Sequence, residues 1–396
     1  MNFFQLGVFW VHLFSEMGFN VLISPETNTS IVDQGIEVMT CESCFPVKIS
    51  HGHVRYLKNK TDYLFLPLMI EMEAKPDMKG YYCPYLEANT YMLQAALDLD
   101  QRKIIMPALY LNKGKEAVKS SIQGEFQRLG LPFDSFLFEK AHFKARQAMS
   151  KFDAEIKRIG AVTLAGLKDS RAIVVVGRPY NAYDSRTNLN LFAAFSRLGV
   201  IAIPQDFLDI EKEEINEEYP NMFWGFGNKI LKAAKFINND PRLFGLYLTS
   251  FACGPDSFIL HFFNHEMCRT NRPYLELELD EHSAGAGVET RLLAFLDAIK
   301  NQKKVRTLNK DVHFISRKSS ASLSGRTLYI PKMAAISPCL AAAFEGVGRK
   351  AKVMPTYTKT GLEFGKSATS GKECFPCIVT TGDMVDLINN LRKQGE

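Results

Sequence analysis

Ala172-Ile-Val-Val-Val-Gly177 decides the fold class. Four β-branched residues in succession between small ones read as a strand buried on both faces, and such strands belong to parallel sheets crossed by helices. Working outward, Arg178-Pro179-Tyr180 and a polar loop follow, then a predicted helix over 189–198, Gly199 and a strand over 200–204. A helix around 227–238 leads to a strand over 243–249, whose end carries Cys253-Gly254-Pro255-Asp256-Ser257. The stretch 274–279 alternates apolar and acidic residues, and Asp280-Glu281-His282 with a small-residue loop precedes a helix over 289–300. Upstream, 63–67 and 103–106 are short strand candidates, and 90–160 reads mostly as helix. Strand alternating with helix throughout predicts an α/β protein with largely parallel sheets.

A second pattern lies at the ends of the chain. Cys44-Phe45-Pro46 recurs as Cys374-Phe375-Pro376, and Phe14, Gly18, Pro25, Gly35 and Gly52 have counterparts at Phe344, Gly348, Pro355, Gly365 and Gly382, all at the offset of 330 residues that separates the two cysteines. So many landmarks in one register argue for a duplicated unit: helix, Gly turn, strand ending at Pro, connector, then a cysteine loop opening a second helix. In the first copy the opening helix shows Phe4, Val8, Val11, Phe14 and Met17 near helical spacing, and its strand falls at 20–24. The strand signal Arg326-Thr-Leu-Tyr-Ile-Pro331, ahead of the second copy, has a counterpart only before residue 1, so the chain is expected to be trimmed at its start, as a fragment or a divergent copy. The expected organisation is a lobe over 1–168 with its first strand missing, a second lobe over 169–302, a basic Ser-rich linker over 303–325, and a βα unit over 326–396 that repeats 1–66 in part.

Composition narrows the class. The chain has 396 residues, of which 46% are hydrophobic, enough for a large core. A net charge of +5 is mild, and the basic cluster at Lys303, Lys304, Arg306, Lys310, Arg317 and Lys318 lies among serines without an aromatic platform, which favours a solvated linker over a nucleic-acid patch. The apolar first 23 residues lack a basic leader and a small-residue cleavage site and contain Glu16, so they do not read as a signal peptide. No other stretch approaches the roughly 18 apolar residues of a membrane span. Eight cysteines without a secretion signal then point to reduced thiols or metal ligands in a cytoplasmic protein.

Cys44, Cys83, Cys253 and Cys374 each stand beside Pro or Gly, at a loop following a strand, and Cys41 and Cys377 form C-x-x-C pairs with Cys44 and Cys374. Thiolates select iron–sulfur clusters, zinc or copper(I), and nearby Gly and Pro leave backbone amides free to face sulfide ions. Zinc stays open, since C-x-x-C pairs are common in zinc sites, although Cys41 precedes its partner and Cys377 follows its own. Cys268 and Cys339 read as buried small hydrophobes. His261 and His265 have a zinc-compatible i, i+4 spacing but no accompanying Glu, so they read as surface or capping residues. Gly285-Ala-Gly287 and Gly114-Lys115 are incomplete nucleotide-binding patterns, and no nucleotide site is expected.

Taken together, Cys44-Phe-Pro-Val-Lys-Ile-Ser-His-Gly-His53, Cys83-Pro-Tyr85, Phe251-Ala-Cys-Gly-Pro-Asp-Ser257, Leu277-Glu-Leu-Asp-Glu-His-Ser283 and Gly371-Lys-Glu-Cys-Phe-Pro-Cys377 resemble the 2-hydroxyacyl-CoA dehydratase superfamily. The similarity is greatest to the dehydratase-like region of large activase-related proteins and to double-cubane cluster proteins. The resemblance implies two or three Rossmann-like lobes holding an iron–sulfur cluster between them, either [4Fe–4S] or a double-cubane [8Fe–9S] group. It further implies a separate or fused iron–sulfur activase that hydrolyses ATP and delivers low-potential electrons, with ATP bound on that partner only. Carried over by position, Cys44, Cys83, Cys253, Cys374 and Cys377 are cluster ligands and Cys41 a sixth; His51, His53 and His282 are neighbouring donors or proton carriers, or structural residues. The duplication adds the expectation that the loops of Cys44 and Cys374 converge, with Cys83 and Cys253 closing the cage.

The function expected on this reading is that of an electron-accepting component of an activase-driven reductase or dehydratase, acting on an acyl-CoA or another small molecule, with a homodimer possible. The alternative is a non-catalytic interaction module stabilised by structural zinc or by no metal.

Overall fold

The computed structural model describes residues 1–75, 78–251, 253–302, 325–369, 371 and 373–395. They fall into two compact units, 1–313 and 314–396. Residues 303–324 of the predicted linker lie outside the described residues.

The first unit opens with helix α1 (Phe3–Glu16), followed by α2 (Thr29–Val38) and α3 (Phe45–Leu57). Short strands β1 (Leu64–Phe65) and β2 (Leu68–Glu71), helix α4 (Pro84–Leu97), and strands β3 (Ile104–Ile105) and β4 (Ala108–Tyr110) come next. Helices α5 (Gly114–Arg128) and α6 (Ser135–Gly166) complete this half. β1 pairs in parallel with β3 and β2 with β4. A core of Trp10, Leu13, Met69, Leu109, Ile122, Phe126 and Phe138 joins α1 to α5 and α6 and takes in Cys83, Tyr180 and Phe226.

The second half holds β5 (Ala172–Gly177), α7 (Pro179–Ala182), α8 (Leu191–Arg197), β6 (Ile201–Pro204), α9 (Gly225–Asn239), β7 (Leu243–Ser250), α10 (Gly254–Arg269), β8 (Leu275–Leu279) and α11 (Gly285–Asn301). Its sheet has the order β6-β5-β7-β8, with every neighbouring pair parallel. Alternation along β5 sends Val174 and Val176 to a face covered by Ile230, Ile237, Ile259 and Phe263 of α9 and α10. Ile173 and Val175 go to the opposite face, against Phe195, Leu292 and Phe295 of α8 and α11. All four β5 side chains are essentially inaccessible, and full burial of such a residue stabilises the fold by about 1.5–3 kcal/mol. A central strand covered on both sides is what the run of β-branched residues predicted.

In the second unit β9 (Leu328–Ile330) pairs in parallel with β10 (Ala351–Val353), and helices α12 (Ile336–Gly346), α13 (Lys359–Ala368) and α14 (Phe375–Lys393) accompany them. The repeat is structural as well as sequential. Asn28 caps α2 by accepting a hydrogen bond from the Ile31 amide, and Thr358 caps α13 by accepting one from the Gly361 amide, the matching pair in the register. The two helices of each copy cross at glycine. A Cβ on Gly52 would stand 1.9 Å from the Ile31 carbonyl oxygen and one on Gly382 would stand 1.9 Å from that of Gly361, so only glycine permits either crossing.

Three local readings are corrected. Residues 20–24 form no strand, and Leu22 and Ile23 are exposed. Their counterpart β10 owes its ladder to β9, and among the described residues 20–24 has no such ladder partner. The buried face of α1 is Phe9, Trp10, Leu13 and Phe14, with Phe4 exposed, because an almost wholly apolar helix carries little information on its phase. The loop at 285–287 is the first turn of α11, which starts four residues earlier than expected. Among the described residues no helix is long and apolar enough to cross a membrane.

Candidate functional site

Each of the four loop cysteines occupies one position: it is the residue immediately before a helix. Cys44 caps α3, Cys83 caps α4, Cys253 caps α10 and Cys374 caps α14. Proline follows within two residues in every case, where its missing N–H costs nothing and its fixed φ suits the first turn. The backbones of Cys44 (φ −64°, ψ 150°) and Cys374 (φ −62°, ψ 148°) nearly coincide. A cysteine so placed meets the positive end of the helix dipole, an environment that favours thiolates and anionic groups.

The first unit brings three of these cysteines into one electrostatic neighbourhood. The Cys44 thiol interacts with Cys83, Arg178 and Asp256, and Cys253 interacts with Asp256, Arg178 and Cys44. Burial pushes the Cys44 thiol up to about 11 and raises that of Cys253 well above its ordinary value. Both are therefore neutral thiols near pH 7 without a metal, and a metal would displace their protons. Cys374 and Cys377 belong to the second unit, at the start of α14, where Cys374 is exposed and Cys377 half-buried. Cys41 is exposed, three residues before Cys44. Among the described residues no three His, Cys, Asp or Glu side chains are grouped to hold a single metal ion.

Beneath the three caps lies an ion pair that sequence reasoning missed. Arg178 Nε donates to Asp256 Oδ1 at 2.7 Å, and each side chain is 1% exposed. Thr249 donates to the other carboxylate oxygen at 2.7 Å, Arg178 Nη1 reaches the Tyr180 hydroxyl at 3.4 Å, and the Phe226 ring lies 5.6 Å from the guanidinium. Burial is the largest single influence and works against the charge of Arg178, but Asp256 together with Tyr180, Cys253 and Cys83 outweighs it and holds the guanidinium firmly protonated. Breaking such a pair by removing one partner costs about 3–5 kcal/mol. The available signal was Arg178-Pro-Tyr180 at the end of the central strand, with Asp256 three residues beyond Cys253.

A second ion pair joins two sequence motifs. Lys48, one turn into α3, is buried and bridges Glu42 at 2.5 Å and Glu281 of the Asp280-Glu281-His282 stretch. The three histidines have different surroundings. His51 is buried, with Nδ1 donating to the Val47 carbonyl at 2.9 Å. His53 binds Ser24 at 2.8 Å and Thr27 at 3.0 Å. Because Thr27 donates its own proton to Asp184, it accepts from His53 Nε2, which leaves Nδ1 to accept from Ser24. His282 is exposed beside Glu281.

Cys268 and Cys339, expected to be buried, are both exposed. They fall on the outward faces of α10 and α12, while Phe263 and Met267 of α10 and Ala341 of α12 turn inward. His261 is exposed and His265 half-buried, with Nδ1 at 3.4 Å from the Tyr219 hydroxyl.

Comparison with known proteins places the sequence. No curated protein matches the chain. Residues 1–208 match the CoA enzyme activase uncharacterised domain (DUF2229), a span running from α1 through β6 that includes Cys44, Cys83 and Arg178. With more than half its length so matched, the chain belongs to this activase-related family, which fits the 2-hydroxyacyl-CoA dehydratase and activase superfamily that its motifs resemble.

Proposed function

We propose that the protein is an iron–sulfur electron-accepting component of an activase-driven, ATP-dependent low-potential reductase or dehydratase system. The observation that supports this reading is that Cys44, Cys83 and Cys253, far apart in sequence, each cap a helix of one unit and all lie within electrostatic range of Tyr180. Their chemistry fits such a group: soft sulfur donors, each at a helix N-terminus whose first amides have no partner within the helix, suit a sulfide-containing cluster. Cys374, Cys377 and Cys41 are further proposed ligands. A cluster, when bound, supplies one-electron transfer at low potential.

The chain's own contribution is to hold the thiols on rigid helices and to bury Cys44, Cys83 and the polar floor beneath them from water. His282 remains a candidate proton carrier at the surface, whereas the hydrogen bonds of His51 and His53 support roles in holding α3 in place. The reading puts ATP on the activase partner and gives the substrate role to an acyl-CoA or another small molecule, as the motif resemblance suggests. Anaerobic purification tests the proposal. Brown protein with broad visible absorption, several irons per chain and acid-labile sulfide is expected; colourless protein with stoichiometric zinc would overturn it in favour of a structural metal.

A further inference from the structure

Two buried polar groups at the C-terminal end of the central sheet have a hydrogen-bond donor without a partner among the described residues: Arg178 at Nη2 and Asn181 at Nδ2. Arg178 is 1% exposed and Asn181 is 2% exposed. The other side-chain polar atoms of these two residues are engaged. Arg178 Nε is held by Asp256 and Nη1 reaches Tyr180, while Asn181 Oδ1 accepts from Ser250 at 2.9 Å. A buried N–H without an acceptor is costly enough that few survive in a folded protein without a reason. Both left over here are donors, so the missing partner is an acceptor.

The fold fixes where that acceptor lies. Arg178 caps the helix that follows β5, and β5 runs beside β7 in register from Ala172↔Leu243 to Gly177↔Leu248. Ser250 ends β7 and accepts the Cys253 amide at 3.1 Å, and Asp256 lies in the first turn of the helix that Cys253 caps. On the other side, Tyr180 and Phe226 share a core with Cys83. The guanidinium thus stands between the element that presents Cys253 and the residues that pack with Cys83. Among the described residues no carboxylate other than Asp256 is hydrogen-bonded to it.

We propose that Arg178 and Asn181 form a donor floor for an electron-rich sulfur group held by the cysteines, and that the Arg178–Asp256 pair sets that group's reduction potential. This rests on the iron–sulfur reading above and deepens it. Hydrogen bonds and positive charge near cluster sulfurs stabilise the added electron, and burial amplifies both effects. Arg178 is a charge-setting and positioning residue whose own protonation does not change. Asp256 partly offsets its field and fixes the orientation of the guanidinium through Nε.

The test is a redox titration of the full chain, purified anaerobically and followed by electron paramagnetic resonance after iron and sulfide are quantified. Arg178→Gln removes the positive charge and is expected to lower the midpoint potential by at least about 59 mV, a tenfold change in the ratio of reduced to oxidised cluster for one electron. Asp256→Asn leaves the guanidinium uncompensated and is expected to shift the potential in the opposite direction. A merely structural role predicts lost iron or no shift, not two shifts of opposite sign. Should Arg178→Gln fail to accumulate, the nearly isosteric Asp256→Asn decides alone: a raised potential supports the proposal, and an unchanged or lowered one at full iron content overturns it. Iron-loaded parent protein with unchanged potentials in both variants overturns this inference alone. A parent without iron and sulfide overturns the cluster reading and this inference with it.

Discussion

At the scale of single residues, cysteines that cap helices and cysteines that decorate a helix surface have different consequences. Cys44 and Cys374 occupy matched caps, whereas Cys268 lies on the exposed face of α10. Cys44→Ala and Cys374→Ala are each expected to lose cluster iron, and Cys268→Ala to retain it; equal iron in all three would refute the ligand assignment. His53 gives a prediction independent of any metal. Burial holds its imidazole down at about 4, against an ordinary value of 6.5. Above pH 6.5 folded and unfolded states are both neutral at this residue and its contribution is fully present. Between 6.5 and 4 the unfolded chain takes up a proton that the folded one refuses, so stability falls with pH by on the order of 2–3 kcal/mol. Urea denaturation across this window is expected to show a flatter pH dependence in His53→Gln, and an unchanged slope would remove His53 from the account.

At the scale of elements, the duplicated helix pair depends on glycine for close approach. A Cβ on Gly35 would stand 2.1 Å from the Lys48 carbonyl oxygen, and one on Gly365 would stand 2.1 Å from that of Ile378, again matching positions in the register. The obstructing atoms are backbone, so they cannot move aside as a flexible side chain would. Gly52→Ala is expected to cost at least about 3 kcal/mol, since it must separate α2 from α3 and carry the Cys44 cap with them. Gly124, exposed within α5 with nothing within 4 Å of its absent Cβ, serves as the control. Gly124→Ala is expected to stabilise the chain by about 0.5–1 kcal/mol through helix propensity. Chemical denaturation of both variants checks the contrast, and similar effects at the two positions would discredit the close-crossing argument.

At the scale of the whole molecule, Cys44, Cys83 and Cys253 come from helices widely separated along the chain, so anything that binds all of them ties distant segments of one unit together. Binding restricted to the folded state stabilises it by mass action. Protein stripped of iron by a chelator under anaerobic conditions is therefore expected to melt below the loaded form. In Cys44→Ala the gap should narrow or vanish. A gap of full size in that variant would place the bound iron elsewhere.

The sequence by itself determined the elements whose signals are local. The β-branched run at 172–177 specified a strand buried on both faces, and the register linking Cys44 to Cys374 specified a repeated unit whose cysteine opens a helix; that the connector before it is itself a helix, α2 and α13, crossing the next at glycine, came only from the structure. It also singled out the cysteine loops, through their proline and glycine neighbours, and each of those four cysteines is a helix cap in the structure. Only the tertiary structure decided the rest. The phase of α1 depends on which face meets α6, and 20–24 is no strand because strand formation needs a partner that periodicity does not reveal. The Arg178–Asp256 pair spans 78 residues and exists because parallel pairing sets β5 beside β7, bringing the loops at their C-terminal ends together. Patterns of three to seven residues record burial and turn chemistry, but the meeting of two charges across a sheet is a property of strand order.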